Sequence, residues 1–133
     1  KSITLEEIES VTGAPSSALV NSFIESIANK NIESGLTAIQ KASAQNIDTE
    51  LYLRLVLTKL RTALLLRYAP ELKAELSESM SEDDKSFMLS ILKSKGGLIN
   101  SKTLEVLLET QNMIKYASMK ELPLELALVK ILE

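Results

Sequence analysis

The amino-acid sequence predicts an all-α fold, a single bundle of about six to eight helices around a long central leucine-rich helix. Apolar residues recur at helical spacing through most of the chain, and no segment alternates apolar and polar residues as a half-buried strand does. Only three prolines and four glycines interrupt the 133 residues, so long helices are expected. A chain of this length is sufficient for one domain that buries a real core.

The composition excludes several classes of site. Because the chain contains no Cys and no His, it lacks disulfides, thiol nucleophiles, a histidine base and the usual zinc ligands. Its formal net charge is −3, whereas a domain that binds nucleic acid normally carries a basic surplus. The most apolar stretch, LYLRLVLTKLRTALLLRYAP, contains four cations, which argues against a membrane span. We expect a cytoplasmic protein, and the lack of an initiator Met predicts a fragment of a longer one.

Two helices are predicted at the start of the chain. Thr4 and Glu7 form a capping box that begins the first helix, and Gly13 ends it. Residues 15–17, a proline followed by two serines, then open the second helix. Its apolar residues fall on one helical face, which predicts a side buried in the core. They are Leu19, Val20, Phe23, Ile24 and Ile27.

The third and fourth helices follow a polar break at residues 29–31. The third is predicted over residues 32–45, and Asp48 is predicted to cap the fourth, over residues 49–69, which ends at Pro70. Apolar residues surround the fourth helix almost completely, and a helix of this kind is usually enclosed by others. It is therefore predicted to be the central helix of the bundle. Its apolar residues are Leu51, Leu53, Leu55, Val56, Leu57, Leu60, Leu64, Leu65 and Leu66.

This apolar helix also carries Arg54, Lys59, Arg61 and Arg67. Arg54 and Arg61 are seven residues apart and share a helical face. Such cations form a solvated stripe, or they pair with the acidic segment 71–84 that follows. The alternative is a charged contact with a neighbouring subunit, for which Arg54 and Arg61 are the candidate residues.

The acidic segment is predicted to form a short helical turn and the start of a further helix. Ser81 is expected to cap this helix, which runs to Ser94 or Lys95. Three adjacent acids at 82–84 could indicate a cation site, but they lack the spacing and the glycine of a calcium loop. Acids in a first helical turn are favoured by the helix dipole, so we predict no metal here. The apolar face consists of Phe87, Met88, Ile91 and Leu92.

Residues 96–103, GGLINSKT, differ at one position from the phosphate-binding loop G-x-x-x-x-G-K-[ST], because Ser101 replaces the second glycine. Such a loop also follows a buried strand, whereas the preceding SFMLSILKSK has helical spacing and ends in lysines. We predict a turn in which the glycines at 96–97 close one helix and Asn100 or Ser101 caps the next. A nucleotide site would instead require Lys102, and Lys102→Ala would weaken ATP binding.

Two helices complete the chain. The first is predicted over about 102–118, and Pro123 is predicted to start the second. Neither helix carries a motif for catalysis. The residues expected to point inward on the first are Leu104, Leu107, Leu108 and Ile114.

The last helix has two apolar stripes, although one stripe is sufficient to dock a terminal helix on its own domain. The second stripe indicates deep burial or a partner protein. We assign its residues, Leu122, Leu126 and Val129, as candidate interface residues. The first stripe consists of Leu124, Leu128 and Ile131.

Three segments, in order, resemble the gamma/tau subunit of the bacterial DNA polymerase III clamp loader. They are ITLEEIESVTG, the stretch ALVNSFIESIANKNIESGLTAIQKASAQNIDTELYLRLVLTKLRTALLLRYAP, and ELPLELALVKIL. The similarity is clearest in residues 3–70 and 121–132. It consists of helices and turn residues: a helix that ends in glycine, a helix pair with a polar break, a long leucine-rich helix and a proline-led tail.

The resemblance implies that residues 1–13 are the end of a lid domain and that residues 14–133 form the collar domain. In this family the collar domains of five subunits form a ring that holds the loader together while it places the sliding clamp on primed DNA. The implied partners are other gamma/tau copies, delta and delta prime, with no direct DNA contact and no membrane. ATP and Mg belong to the module N-terminal to the collar, so this fragment would bind no cofactor and catalyse nothing. The alternative is a stand-alone helical adaptor that binds a partner protein through its apolar C-terminal helix.

Overall fold

A computed structural model describes residues 17–78, 80–93 and 99–133, and these residues form helices and no strand. The all-α prediction is therefore confirmed. The seven α-helices of the described part fall within the predicted number. They are α1 (Ser17–Ala28), α2 (Ile32–Ala44), α3 (Thr49–Tyr68), α4 (Lys73–Glu78), α5 (Glu82–Lys93), α6 (Ser101–Tyr116) and α7 (Glu121–Leu132), with a 3-10 turn at Pro70–Leu72. The helix predicted between Thr4 and Gly13, and the domain boundary at 13–14, lie outside the described residues.

The first two described helices form a hairpin across the predicted polar break. Asn31 caps α2 by accepting a hydrogen bond from the Ser34 N–H to its Oδ1, at 3.1 Å. Lys30 adopts a left-handed backbone conformation with φ of 56°, which lets the chain reverse between the helices. The apolar face predicted for α1 is confirmed, because all five of its residues are buried.

The long helix α3 lies at the centre of the bundle. It packs against α1, α2, α5, α6 and the 3-10 turn, as predicted for a helix that is apolar on most sides. Leu53, Val56 and Leu60 are completely buried, whereas the leucines at 51, 55, 64, 65 and 66 are half-buried. Asp48 precedes α3 as predicted, but its side chain makes no capping hydrogen bond. That detail of the prediction is wrong, because the Asp48 side chain is exposed and only its carbonyl joins the helix, accepting from the Tyr52 N–H at 2.9 Å.

Besides its buried apolar side chains, helix α5 contacts Lys59 on α3. The Lys59 Nζ donates to Asn21 Oδ1 at 2.6 Å and lies 3.4 Å from Asp84 Oδ1. It also lies 5.7 Å from the centre of the Phe87 ring. The predicted pairing of an α3 cation with the acidic segment is thus confirmed for Lys59.

Local capping positions both α5 and α6. The Ser81 Oγ accepts from the Asp84 N–H at 3.1 Å, and Asn100 Oδ1 accepts from the Thr103 N–H at 3.0 Å. Both predicted caps are confirmed, and the acids at 82–84 lie in the first turn of α5 as expected. Gly96 and Gly97, like the predicted end of α5 at Ser94 or Lys95, lie outside the described residues.

One residue of α6 faces the opposite way from the prediction. Leu108 is 53 % exposed, because the buried side of the helix is set by Thr103, Leu107 and Ile114. Leu108 follows Leu107 directly and is therefore turned by about 100° away from that side. The helix starts at Ser101 and ends at Tyr116, slightly before the predicted range.

The last helix packs against α6 and α2. It begins at Glu121, two residues before Pro123, which therefore occupies its third position. Proline is tolerated there because the first N–H groups of a helix have no partner within the helix. The Ser43 hydroxyl on α2 donates to Glu121 Oε1 at 2.9 Å, and Lys120 Nζ lies 3.5 Å from Glu50 Oε1.

Helices α1, α2 and α7 meet at Gly35. A Cβ atom at this position would lie 2.5 Å from Leu128 Cδ2 and 2.5 Å from Ser26 Oγ. Both distances are shorter than an ordinary van der Waals contact. The absence of a side chain at Gly35 therefore sets how closely the three helices approach one another.

A buried tyrosine ties α3 to α1. The Tyr52 hydroxyl donates to the Leu19 carbonyl at 2.8 Å, and its ring meets the Phe23 ring edge-on with the centroids 6.1 Å apart. Burial raises the pKa of Tyr52 above its ordinary value, because the phenolate would lose its hydration. The hydroxyl is thus a proton donor throughout the neutral range.

The raised pKa of Tyr52 predicts a loss of stability in alkaline solution. Above about pH 10 the unfolded chain releases this proton while the folded chain retains it. The contribution to stability is therefore complete below that pH and is lost as the pH rises. Above about pH 10 we expect the free energy of unfolding to fall by up to about 1.4 kcal/mol per pH unit. Urea unfolding between about pH 9 and pH 12 measures this change.

Tyr52→Phe should remove this component of the pH dependence. Tyr68→Phe is the matched control, since the Tyr68 side chain is 72 % exposed, and should retain it. An unchanged alkaline slope in Tyr52→Phe would contradict the assignment.

Candidate functional site

Large exposed apolar side chains are concentrated in one part of the chain. Eight such side chains occur among the described residues, and six of them lie between residues 108 and 126. These six belong to α6, to α7 and to the connection between the two helices. Exposed apolar surface that is concentrated in this way is typical of protein-interaction sites. The six residues are Leu108, Met113, Tyr116, Met119, Leu122 and Leu126.

A groove runs between α6 and α7 and contains two of these side chains. Its floor is formed by Thr110, Pro123 and Ala127, all of them buried. The Thr110 hydroxyl donates to the Val106 carbonyl of its own helix at 2.8 Å, so its hydrogen-bond donor is already used there. Met113 on α6 and Leu126 on α7 form the walls and are 54 % and 55 % exposed. We call this feature the α6–α7 groove.

The α6–α7 groove has charges of opposite sign on its two rims. Glu109 lies on the α6 side and Lys130 on the α7 side, and both are exposed. Within the described part of the chain, neither residue takes part in an ion pair. The groove therefore combines an apolar interior with one acidic and one basic rim. It encloses a cavity of about 100 Å³.

The two stripes predicted on α7 differ in their surroundings. Leu124 and Leu128 of the first stripe are completely buried against the bundle. In the second stripe Leu122 is 43 % exposed, Leu126 is 55 % exposed and Val129 is half-buried. The domain thus uses the first stripe for its own core and leaves much of the second on the surface.

The two arginines predicted to contact a neighbouring subunit lie on a different helix from the second stripe of α7. Arg54 and Arg61 are exposed on α3, which packs against α1 and α6, whereas α7 packs against α6 and α2. No hydrogen bond among the described residues joins either arginine to a residue of that stripe. Arg67, near the end of α3, has a structural role, since its Nη1 donates to the Ile99 carbonyl at 2.9 Å. The structure does not bring Arg54 and Arg61 together with Leu122, Leu126 and Val129.

The α6 contribution to the groove was missed in the sequence. Val106 and Met113 are seven residues apart, and with Thr110 between them they form a second stripe on α6. The same argument that identified the second stripe on α7 could have identified this one. Met113 also lies next to Leu126 in the groove lining, which only the packing of the two helices reveals.

The rest of the surface formed by the described residues offers little for chemistry. A cavity of about 460 Å³ between α1 and α2 is lined by Ser22, Ser34 and Thr37 among others. Each of these three hydroxyls donates to a backbone carbonyl three or four residues earlier in the chain. Lys102 is exposed in the first turn of α6. In the segments that the structure describes, no three acidic side chains are grouped so as to hold a metal ion. No described helix is long and apolar enough to cross a membrane.

Neither a scan against protein-family models nor a search of curated proteins finds a match to this chain.

Proposed function

We propose that this chain is the collar domain of a clamp-loader gamma/tau subunit, an oligomerisation domain without catalysis of its own. The exposure of Leu122 and Leu126 carries the proposal. Helix α7 already docks on its own domain through Leu124 and Leu128, so its second stripe is available for a neighbouring subunit. The resemblance of residues 3–70 and 121–132 to that family supports the same proposal.

Burial of these exposed apolar side chains by a partner would contribute usefully to the free energy of assembly. Complete burial of a leucine or methionine side chain contributes about 1.5–3 kcal/mol. Leu122, Leu126 and Met113 are each about half exposed, so a partner that covers all three would gain roughly 3 kcal/mol from them. In the proposed loader, delta, delta prime and further gamma/tau copies are the partners, ATP and Mg bind the upstream module, and DNA makes no direct contact with the collar.

Leu126→Asp is expected to abolish mixed assembly while the domain remains folded. The aspartate would put a charge into the apolar contact, and Leu126 is exposed enough for the bundle to tolerate the change. The measurement is native mass spectrometry of the domain mixed with candidate collar subunits of the same loader, together with circular dichroism of the variant. Leu89→Asp is the matched control, because Leu89 on α5 is 42 % exposed and lies outside the α6–α7 groove.

Four outcomes decide between the possible functions and locate the interface. Mixed assemblies that Leu126→Asp removes and Leu89→Asp leaves intact support the collar. A domain that ignores all collar subunits but binds a protein unrelated to replication, again through Leu126, would favour the helical adaptor. Assemblies that both variants leave intact would place the interface elsewhere. ATP binding that Lys102→Ala weakens would overturn the non-catalytic assignment.

A further inference from the structure

One stripe of α3 remains on the surface, although this helix lies at the centre of the bundle. Arg54, Thr58 and Arg61 are exposed, and their spacings of four and three residues place them on one helical face. The stripe continues through the half-buried Leu65 to Tyr68, which is 72 % exposed. The two arginines are about 10 Å apart along the helix axis. We call these five residues the α3 surface stripe.

The two arginines of the α3 surface stripe carry charge that the described part of the chain does not balance. Neither Arg54 nor Arg61 forms an ion pair with another described residue. Lys59, on the side of α3 that faces α5, differs from them because it lies 3.4 Å from Asp84 Oδ1. The stripe itself contains no acidic residue. It therefore favours a partner that carries carboxylates.

A cavity of about 240 Å³ between α3 and α5 opens beside the α3 surface stripe. Thr58 belongs to both features, since it also lines the cavity. Relative to Thr58, the two arginines are turned to one side of the helix, whereas Leu55 and Thr62 are turned to the other side, towards the cavity. The arginines thus lie along the edge of the cavity that is farther from α5. The apolar residues of the lining are Leu55, Met80 and Met88.

The polar groups of this cavity are already engaged within the domain. The Thr58 hydroxyl donates to the Arg54 carbonyl at 2.9 Å, and the Thr62 hydroxyl donates to the Thr58 carbonyl at 3.1 Å. Lys59 and Asp84 pair with each other. Small-molecule pockets enclose about 300–1,000 Å³ and use a few free polar groups to orient the ligand. An apolar hollow between two helices is better suited to an apolar side chain of a third helix.

We propose that the α3 surface stripe and the adjacent cavity bind an acidic amphipathic helix of another protein. Two carboxylates seven residues apart on that helix face Arg54 and Arg61, because a helix that lies along α3 has the same residue spacing. An apolar side chain between the two carboxylates enters the cavity beside Thr58. The inference does not rest on the proposed function, since Leu122 and Leu126 lie on α7.

The acidic first turn of α5 determines which side of the partner faces α3. Asp84 is paired with Lys59, and Glu82 lies 3.3 Å from Lys85 Nζ, but Asp83 is exposed. Carboxylates of the partner are therefore repelled from α5 and attracted to the arginines. The same acids disfavour nucleic acid, whose binding depends on many cations along the phosphate backbone.

A designed peptide tests the proposal. The probe is an alanine-rich helix of about 20 residues with two glutamates seven residues apart and leucines at the two central positions between them, so that either direction along α3 is possible. Titrated at low salt into the ¹⁵N-labelled domain, it should shift the amide NMR signals around Thr58 and Met88. We expect saturation below roughly 1 mM peptide and weaker binding at high salt.

Variants of the domain and of the peptide separate this site from general charge attraction. Arg54→Glu and Arg61→Glu should each weaken binding roughly tenfold, because each replaces an attraction with a repulsion. Lys41→Glu, at an exposed position on α2, changes the net charge equally and should alter the affinity less than about twofold. A peptide with alanines in place of the leucines should bind roughly fivefold more weakly. The peptide comparison needs no change in the domain, so it holds even if an arginine variant does not fold.

Several results would overturn the proposal. They are the absence of saturable shifts, shifts centred on the α6–α7 groove, and binding that ignores the arginines or the leucines. A single-stranded oligothymidine that shifts the same amides at lower concentration than the peptide would replace the protein partner with nucleic acid. Leu126→Asp should bind the peptide as the wild type does, so a failure of this site and a failure of the collar assembly are distinct results.

Discussion

Replacing Leu128 with alanine is expected to lower the free energy of unfolding by about 3–5 kcal/mol. Leu128 is completely buried where α7 meets α2, and its Cδ2 approaches the backbone of Gly35. The shortened side chain loses its transfer free energy and leaves a cavity that the helices can close only in part. Urea unfolding followed by circular dichroism measures the change.

Leu126→Ala is the control for this substitution. It removes the same atoms from the same helix, but Leu126 is 55 % exposed, so we expect a loss of less than about 1 kcal/mol. Equal losses for the two variants would mean that α7 does not dock through the first stripe.

Gly35→Ala is expected to destabilise the domain by up to about 2 kcal/mol, although alanine is the better helix former. The exchange gains about 1 kcal/mol of helix propensity. Against this, the new Cβ overlaps Leu128 Cδ2 and Ser26 Oγ, and overpacking of this kind costs about 1–3 kcal/mol and occasionally more. Because Ser26 and Leu128 are both buried, neither can move aside freely. We therefore expect the crowding to exceed the propensity gain.

A double-mutant cycle identifies the cause. If the overlap with Leu128 is responsible, Gly35→Ala should cost less in a Leu128→Ala background than in the wild type, by about 1 kcal/mol. Thr37→Ala, an exposed position on the same helix, should change stability by less than about 0.5 kcal/mol. Additive effects of Gly35→Ala and Leu128→Ala would show that the two residues do not crowd each other.

The features that could be predicted from the sequence are those determined locally. Asn100 and Ser81 cap their helices because an asparagine or serine side chain reaches the free N–H groups of the next turn in any protein. The buried face of α1 follows from apolar spacing alone. The all-α class and the central position of α3 are consequences of the same periodicity.

The features that were predicted wrongly or missed from the sequence depend on how the helices pack. Leu108 is exposed because contacts with α3 and α7 determine which side of α6 turns inward; spacing alone permits several orientations for a helix with so many leucines. The proximity of Met113 to Leu126 is a property of two helices together. The close approach at Gly35 also depends on the packing of helices. The residues that neighbour this glycine in the sequence do not show which side chains of other helices will contact it.

Leucine exposure was the part of the candidate site that the sequence could anticipate. A second apolar stripe on so short a helix indicates deep burial or a partner protein, and Leu122 and Leu126 are on the surface. The choice of Arg54 and Arg61 had no comparable basis. Their spacing places them on one face of α3, but spacing says nothing about which other elements that face will meet.

The contact between α2 and α7 has a consequence for synthesis on the ribosome. The Ser43–Glu121 hydrogen bond joins residues that are 78 positions apart, and the packing of α2 against α7 spans a similar length of chain. The α1–α2 hairpin emerges before α7, and its apolar side around Gly35 stays open to water until α7 has left the exit tunnel. At about 5–20 residues per second, this interval lasts several seconds. During that time the nascent hairpin presents a surface that chaperones can bind.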